Sequence, residues 1–250
     1  MNRRGLAFWK LLQGPAMVGL TLLAYFWAKP LNNGFQVPEA ARIIFWHVPM
    51  AMLGLLWFFV AGYHAVRFLF GRGSGDLRRD SRVSFACEVG LACTLLATFS
   101  GMIFAQVQWR TPWNWDPKQV SILVLIMIYV AYFGLRMSVD EPQLRARLTS
   151  AYAILGAVAA PLLMYVVPHL PQVQTLHPTQ VLTGGLDSKW RLIWMGFTVV
   201  FLGVTAWLFE LRVRLAALEA RRSEAGDPED QVVVEAVRRP SGGATTGAAG

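Results

Sequence analysis

The feature that most constrains this chain is a series of six predominantly apolar runs, at about 8–28, 44–69, 83–106, 119–137, 148–168 and 190–210. A hydrocarbon layer about 30 Å thick is crossed by about 20 residues of helix. Backbone N–H and C=O groups in lipid must be satisfied within the segment itself, so runs of this length are expected to be helices. Composition points the same way: 55% of the 250 residues are hydrophobic, only 15% are charged, and the mean hydropathy is +0.42, whereas soluble domains carry about 25% charged residues. The expected fold is an all-α, polytopic integral membrane protein with six transmembrane helices.

Charge sets the expected orientation. Of the 23 Lys and Arg residues, seventeen fall in the N-terminal segment, the 67–82 and 136–147 connections and the tail after Glu210; the other side holds only Lys29, Arg42, Arg110, Lys118, Lys189 and Arg191. Basic residues accumulate on the cytoplasmic side, so both termini are expected there. The first run has a signal-like basic start in Arg3, Arg4 and Lys10 but no small-residue cleavage site, and reads as an uncleaved first span. The net charge of +8 is spread along connections and forms no nucleic-acid face. Residues 1–212 are expected to form the membrane domain. Residues 213–250, with mixed charge and then a Gly-, Ala- and Thr-rich end, are expected to be a disordered cytoplasmic tail. Cys87 and Cys93 lie six residues apart in one span, about 9 Å along a helix and too far for a disulfide, and read as core residues. No G-x-x-x-x-G-K-[ST] motif is present, so any ATP hydrolysis would belong to another polypeptide.

Between the third and fourth runs, at about 107–118, stands an outer-facing loop containing W-R-T-P-W-N-W-D-P-K, Trp109 to Lys118. Trp109, Trp113 and Trp115 have two readings. Amphipathic rings favour the membrane interface and form aromatic belts. Rigid π surfaces in a proline-stiffened loop can also hold a flat apolar cofactor at little entropic cost. Asp116 could contact such a ligand, cap the following helix, or pair with Lys118 or Arg110.

The histidines add a second constraint. His47, in F-W-H-V-P, opens the second span, and His177, in T-L-H-P-T, lies between the fifth and sixth, so both share the outer side with the tryptophan loop. His64 is 17 residues beyond His47 on the same helix, roughly 25 Å away, and belongs to the other end. His169, between Pro168 and Pro171, is a weaker candidate that also reads as a helix end. Two imidazoles from separate connections beside aromatic surface match the needs of a bis-imidazole haem site. Arg42, Arg110, Lys118, Lys189 and Arg191 are available to haem propionates, although each also has an ordinary interfacial reading.

These residues resemble a known family. The tryptophan loop resembles the WWD signature of haem-handling proteins of cytochrome c maturation; with the six-span layout, W-H-V-P and T-L-H, the chain most resembles the heme exporter protein C family over about residues 8–210. The resemblance implies that His47 and His177 are axial ligands of haem b, and that Trp109, Trp113, Trp115 and Asp116 belong to the haem-contacting loop. It also implies presentation of haem at the outer, periplasmic face of the bacterial inner membrane to a haem chaperone, with ABC-type exporter subunits as partners. The expected mechanism is coordination and release rather than bond-making by the chain's own side chains. The sequence departs from the family pattern at Arg110, where glycine is common, at Pro112, where another tryptophan is common, and at Lys118, where arginine is common; W-x-W-D at Trp113 to Asp116 is intact. Two other classes stay open on the residues: a permease subunit of an ABC-type transporter, and a membrane cytochrome b in electron transfer.

Overall fold

The computed structural model describes residues 3–31, 35–71, 74–177 and 186–225. Among them the regular structure is entirely helical: α1 (Arg3–Phe26), α2 (Ile44–Phe70) preceded by a 3-10 segment (Pro38–Ile43), α3 (Leu77–Trp109), α4 (Pro117–Ser138), α5 (Pro142–Pro161) and α6 (Ser188–Ala225). α5 is prolonged by a π turn (Leu162–Val166) and a 3-10 turn (Val167–His169).

Four of the six helical starts have a local cause. Asp76, Asp116 and Glu141 cap α3, α4 and α5 by accepting backbone N–H groups of the first turn, and Asp187 accepts from Trp190 N at the start of α6. Pro117 and Pro142 occupy first-turn positions, where the missing N–H is no loss. The π turn follows from two prolines. Pro161 cannot donate to Ala157 nor Pro168 to Met164, and the Val167 N–H reaches back five residues to the Leu162 carbonyl.

Helices α2 to α6 are long and apolar enough to cross a membrane. The sixth expected span, α1, has the length, but Lys10, Gln13 and Pro15 interrupt its apolar run. It nevertheless runs beside α6: Lys10 pairs with Glu210 at 2.9 Å near one end, and Ala24 and Ala28 share a buried cluster with Trp190 and Phe45 near the other. α2 is central and packs most extensively on α3 and then α5. The α2–α3 approach is close because a Cβ at Gly90 would lie 2.6 Å from the Phe58 ring, a small-residue contact typical of membrane helix pairs.

The connections gather at two ends. At one, Gln143 in the first turn of α5 donates to the Gly75 carbonyl between α2 and α3. There Arg136 makes a two-pronged pair with buried Asp80, at 2.8 and 2.7 Å, and touches Thr149. Arg136, counted above only as a topology charge, thus ties α3, α4 and α5 together. The expected tail boundary at 212 falls inside α6, which continues to Ala225; residues 226–250 lie outside the described residues. Cys87 and Cys93 are buried and unpaired in α3.

Candidate functional site

At the opposite end, the start of α2, the end of α3, the loop into α4, the π turn after α5 and His177 line a mostly apolar cavity of about 180 Å³. His47 and His177 both line it, as do Trp109, Trp113, Asp116 and Lys118. The two imidazoles are neighbours, with ring centroids 6.1 Å apart and planes inclined by 38°. Among the described residues no group of three or more His, Cys, Asp or Glu side chains could hold a metal ion. His64 lies far along α2, against Tyr63 and Phe209. His169 is exposed, engages the Tyr165 carbonyl at 2.6 Å, and stands outside the cavity.

The tryptophan loop is braced by its own polar groups. Trp109 ends α3, and Arg110 follows in the left-handed conformation (φ 60°), its N–H returning to the Gln106 carbonyl. Glycine is the residue suited to such a helix end, which gives a physical reason for the family preference from which Arg110 departs. Asn114 N donates to Gln119 Oε1, Gln119 Nε2 to the Pro112 carbonyl, and Thr111 Oγ1 to the Trp113 carbonyl. Trp115 is also left-handed (φ 58°), an uncommon state for an aromatic residue. It is 70% exposed, stands outside the cavity and meets Trp113 edge-on at 5.9 Å. The three tryptophans therefore divide: Trp109 and Trp113 form wall, and Trp115 faces outward.

Asp116 is 9% exposed and joins two segments. One oxygen accepts from Lys118 N at 2.8 Å, capping α4. The carboxylate also accepts from Thr175 Oγ1 at 2.8 and 3.0 Å and from Leu176 N at 2.6 Å. Thr175 Oγ1 in turn accepts from His177 N at 3.2 Å. The loop carboxylate thus fastens the strap that carries the second histidine. Of the three readings left open by sequence, capping is present, and the tie to Thr175 and Leu176 was not among them.

The basic residues separate as well. Only Lys118 lines the cavity. The Arg42 guanidinium is turned the other way: it donates to the carbonyls of Ala24, Tyr25 and Ala28 at the end of α1, pairs with Glu39 and lies over the Tyr25 ring. Arg110 is exposed at the end of α3. Lys189 sits over the Trp27 ring and Arg191 donates to the Leu186 carbonyl. Sequence reasoning also missed Ser100 and Gly101, which contact His47 from α3, and Phe35, Phe104 and Tyr165 in the cavity wall. The prolines at 161 and 168 were a readable signal for the distorted helix that brings Tyr165 there.

Five apolar spans with an aromatic-walled cavity carrying two imidazoles at one end of the bundle define a multi-pass helical membrane protein. Sequence comparison then gives the family: residues 5–226 match the model described as Heme exporter protein C, and the chain belongs to that family. It is similar to the heme exporter protein C of Paracoccus denitrificans (29% identical, covering 77% of this chain and 85% of the relative) and of Bradyrhizobium diazoefficiens (28%, 79% and 75%). It is also similar to a putative cytochrome c biosynthesis ccmC-like mitochondrial protein of Marchantia polymorpha (28%, 59% and 61%).

Proposed function

We propose that this chain binds haem b as cargo for cytochrome c biogenesis and presents it, at the periplasmic face of the bacterial inner membrane, to a haem chaperone. The observation that carries the reading is the His47–His177 pair. Both rings line one cavity with centroids 6.1 Å apart, so His47 and His177 would be the residues to hold a haem iron there. Wall chemistry fits the same cargo, since Trp109, Trp113, Phe35 and Phe104 offer apolar and aromatic surface. Lys118 is the cation placed to meet a propionate.

Bound haem would supply the iron, which His47 and His177 would hold; the protein's part is to hold and to release. His47 is fixed on a packed helix and His177 on a strap tied to Asp116. Trp115, outside the cavity and exposed, is placed to meet the partner rather than the cargo. Coordination by a partner in place of one histidine would release the ligand without bond-making by this chain. Family membership supports ABC-type exporter subunits as further partners, and the asymmetry of Lys and Arg supports cytoplasmic termini. The histidine pair at the end of the bundle, four residues into α2, favours presentation over electron transfer by a haem held within the bilayer.

The test is the visible spectrum of the purified protein, co-expressed with its chaperone, beside His47→Ala and His177→Ala. A low-spin haem spectrum that each substitution weakens or converts to high spin is expected. Haem-free parent protein, or a spectrum unchanged in both variants, would overturn the reading.

A further inference from the structure

His47 meets α3 at two consecutive residues. Its Nδ1 lies 3.1 Å from Ser100 Oγ, and the Ser100 hydroxyl donates to the Ala97 carbonyl at 3.0 Å. A hydroxyl has one proton to give. A Ser100 hydroxyl that gives its proton to Ala97 leaves its oxygen as an acceptor for a proton on His47 Nδ1, and the Ala97 carbonyl beside the ring is a second acceptor for the same proton. The lone pair then sits on Nε2, the nitrogen left for a metal. The next residue, Gly101, lies against the ring itself: a Cβ there would come within 3.0 Å of His47 Cε1 and 3.5 Å of Nδ1.

We infer that Ser100 and Gly101 are positioning residues for His47, Ser100 setting the tautomer that frees Nε2 and Gly101 letting the ring lie against α3. The inference rests on the cargo reading of this cavity and adds to it two residues outside the tryptophan loop and both histidine motifs. An Nδ1–H donating to oxygen fixes the ring's orientation and raises the basicity of the opposite nitrogen, and loss of such an outer partner typically lowers metal affinity about 10- to 100-fold. Ser100→Ala removes the acceptor while changing little volume. Ser100→Thr retains the hydroxyl. Gly101→Ala crowds the ring and leaves the hydrogen bond's donor and acceptor in place.

The experiment has one arm with haem and one without. Haem titration of the detergent-purified protein should show affinity reduced at least tenfold in Ser100→Ala, with less low-spin signal, and restored in Ser100→Thr. Gly101→Ala should lower the low-spin fraction as well. Nitrogen NMR of histidine-labelled apoprotein, with His47 assigned by difference from His47→Ala, should show the Nδ1–H tautomer in the parent and in Ser100→Thr and a mixture in Ser100→Ala. Parent-like affinity, spectrum and tautomer in Ser100→Ala would overturn the inference. If the parent takes up no haem, it is the cargo reading that fails, and the nitrogen spectrum alone decides the Ser100 contact: a tautomer indifferent to the hydroxyl refutes it.

Discussion

Asp116→Ala should release the second histidine while leaving the first in place. The carboxylate holds the strap through Thr175 Oγ1 and Leu176 N, at 2.6 to 3.0 Å, and caps α4 through Lys118 N. A hydrogen bond to a charged group contributes about 1.5–3 kcal/mol net of water, so the two strap donors together account for roughly 3–6 kcal/mol. Loss of the cap costs a further 0.5–2 kcal/mol, by the usual range of about that size. The cap is a cost to α4, whose apolar face is also held by α5. The strap, by contrast, is held to the loop by these contacts, and its loss falls on the position of His177.

The measurable consequence is selective. In haem titration with visible spectroscopy, Asp116→Ala should resemble His177→Ala and not His47→Ala, with protein recovery from the membrane close to the parent's. Asp116→Asn keeps one carbonyl acceptor and should fall between the two. Thr175→Ala, which removes both the donor to Asp116 and the acceptor for His177 N, should shift the spectrum in the same direction by a smaller amount. If Asp116→Ala keeps a low-spin spectrum that His177→Ala still abolishes, and binds haem as tightly as the parent, the carboxylate does not position His177 and the reasoning fails.

Three further outcomes follow from the geometry. Arg110→Gly should stabilise the protein by about 1 kcal/mol, because a left-handed helix end costs glycine no Cβ clash; thermal unfolding in detergent checks it, and an unchanged or lower midpoint would count against a strained Arg110. Arg42→Ala should lower membrane protein levels and thermal stability by about 1–3 kcal/mol, since buried carbonyls at the end of α1 lose their donors, while haem affinity per folded molecule stays within twofold of the parent; a large loss of affinity in well-folded protein would restore Arg42 to the cargo site. Asp80→Ala, which leaves the Arg136 guanidinium largely buried without its partner, should cost about 3–5 kcal/mol by the same unfolding assay, and an Asp80→Leu, Arg136→Met pair should recover most of it.

How much of this was legible depended on the distance over which the information is written. The helices α2 to α6 could be read because a run of about 20 apolar residues is a local property, and the cap at Asp116 because a carboxylate just before Pro117 is local too. His47 and His177 could be placed on one side of the membrane by counting spans. Their 6.1 Å approach could not, because it depends on a strap fastened by Asp116 across a separation of about 60 residues. The basic residues show the same limit in reverse. Sequence places Arg42 on the side of the site but cannot show that its guanidinium turns to the carbonyls of α1. Nor does it show that Arg136 reaches Asp80, 56 positions earlier. Ser100 and Gly101 are ordinary helix residues with no motif, and only the packing of α2 on α3 gives them a role.

The two ends of the bundle differ in backbone as well as in chemistry. Where α2 meets α3 and α4 meets α5, the starts of α3 and α5 are capped by Asp76 and Glu141, and nearby ion pairs cross between helices, Asp80–Arg136 and Glu88–Arg212 among them. At the cavity end lie the 3-10 segment Pro38–Ile43, the left-handed Arg110 and Trp115, and the π and 3-10 turns after Pro161. Irregular backbone at membrane depth is tolerated where it is buried in protein or lines a cavity, and strained conformations persist where surrounding contacts over-determine them. Here those contacts are the cross-braces of Gln119, Asn114 and Asp116. A belt of interfacial tryptophans would need none of them, because partitioning to an interface asks only for exposed amphipathic rings. A loop that turns Trp113 inward, Trp115 outward and a carboxylate toward the His177 strap holds relative positions, as the proposed coordination of a cargo by His47 and His177 would require.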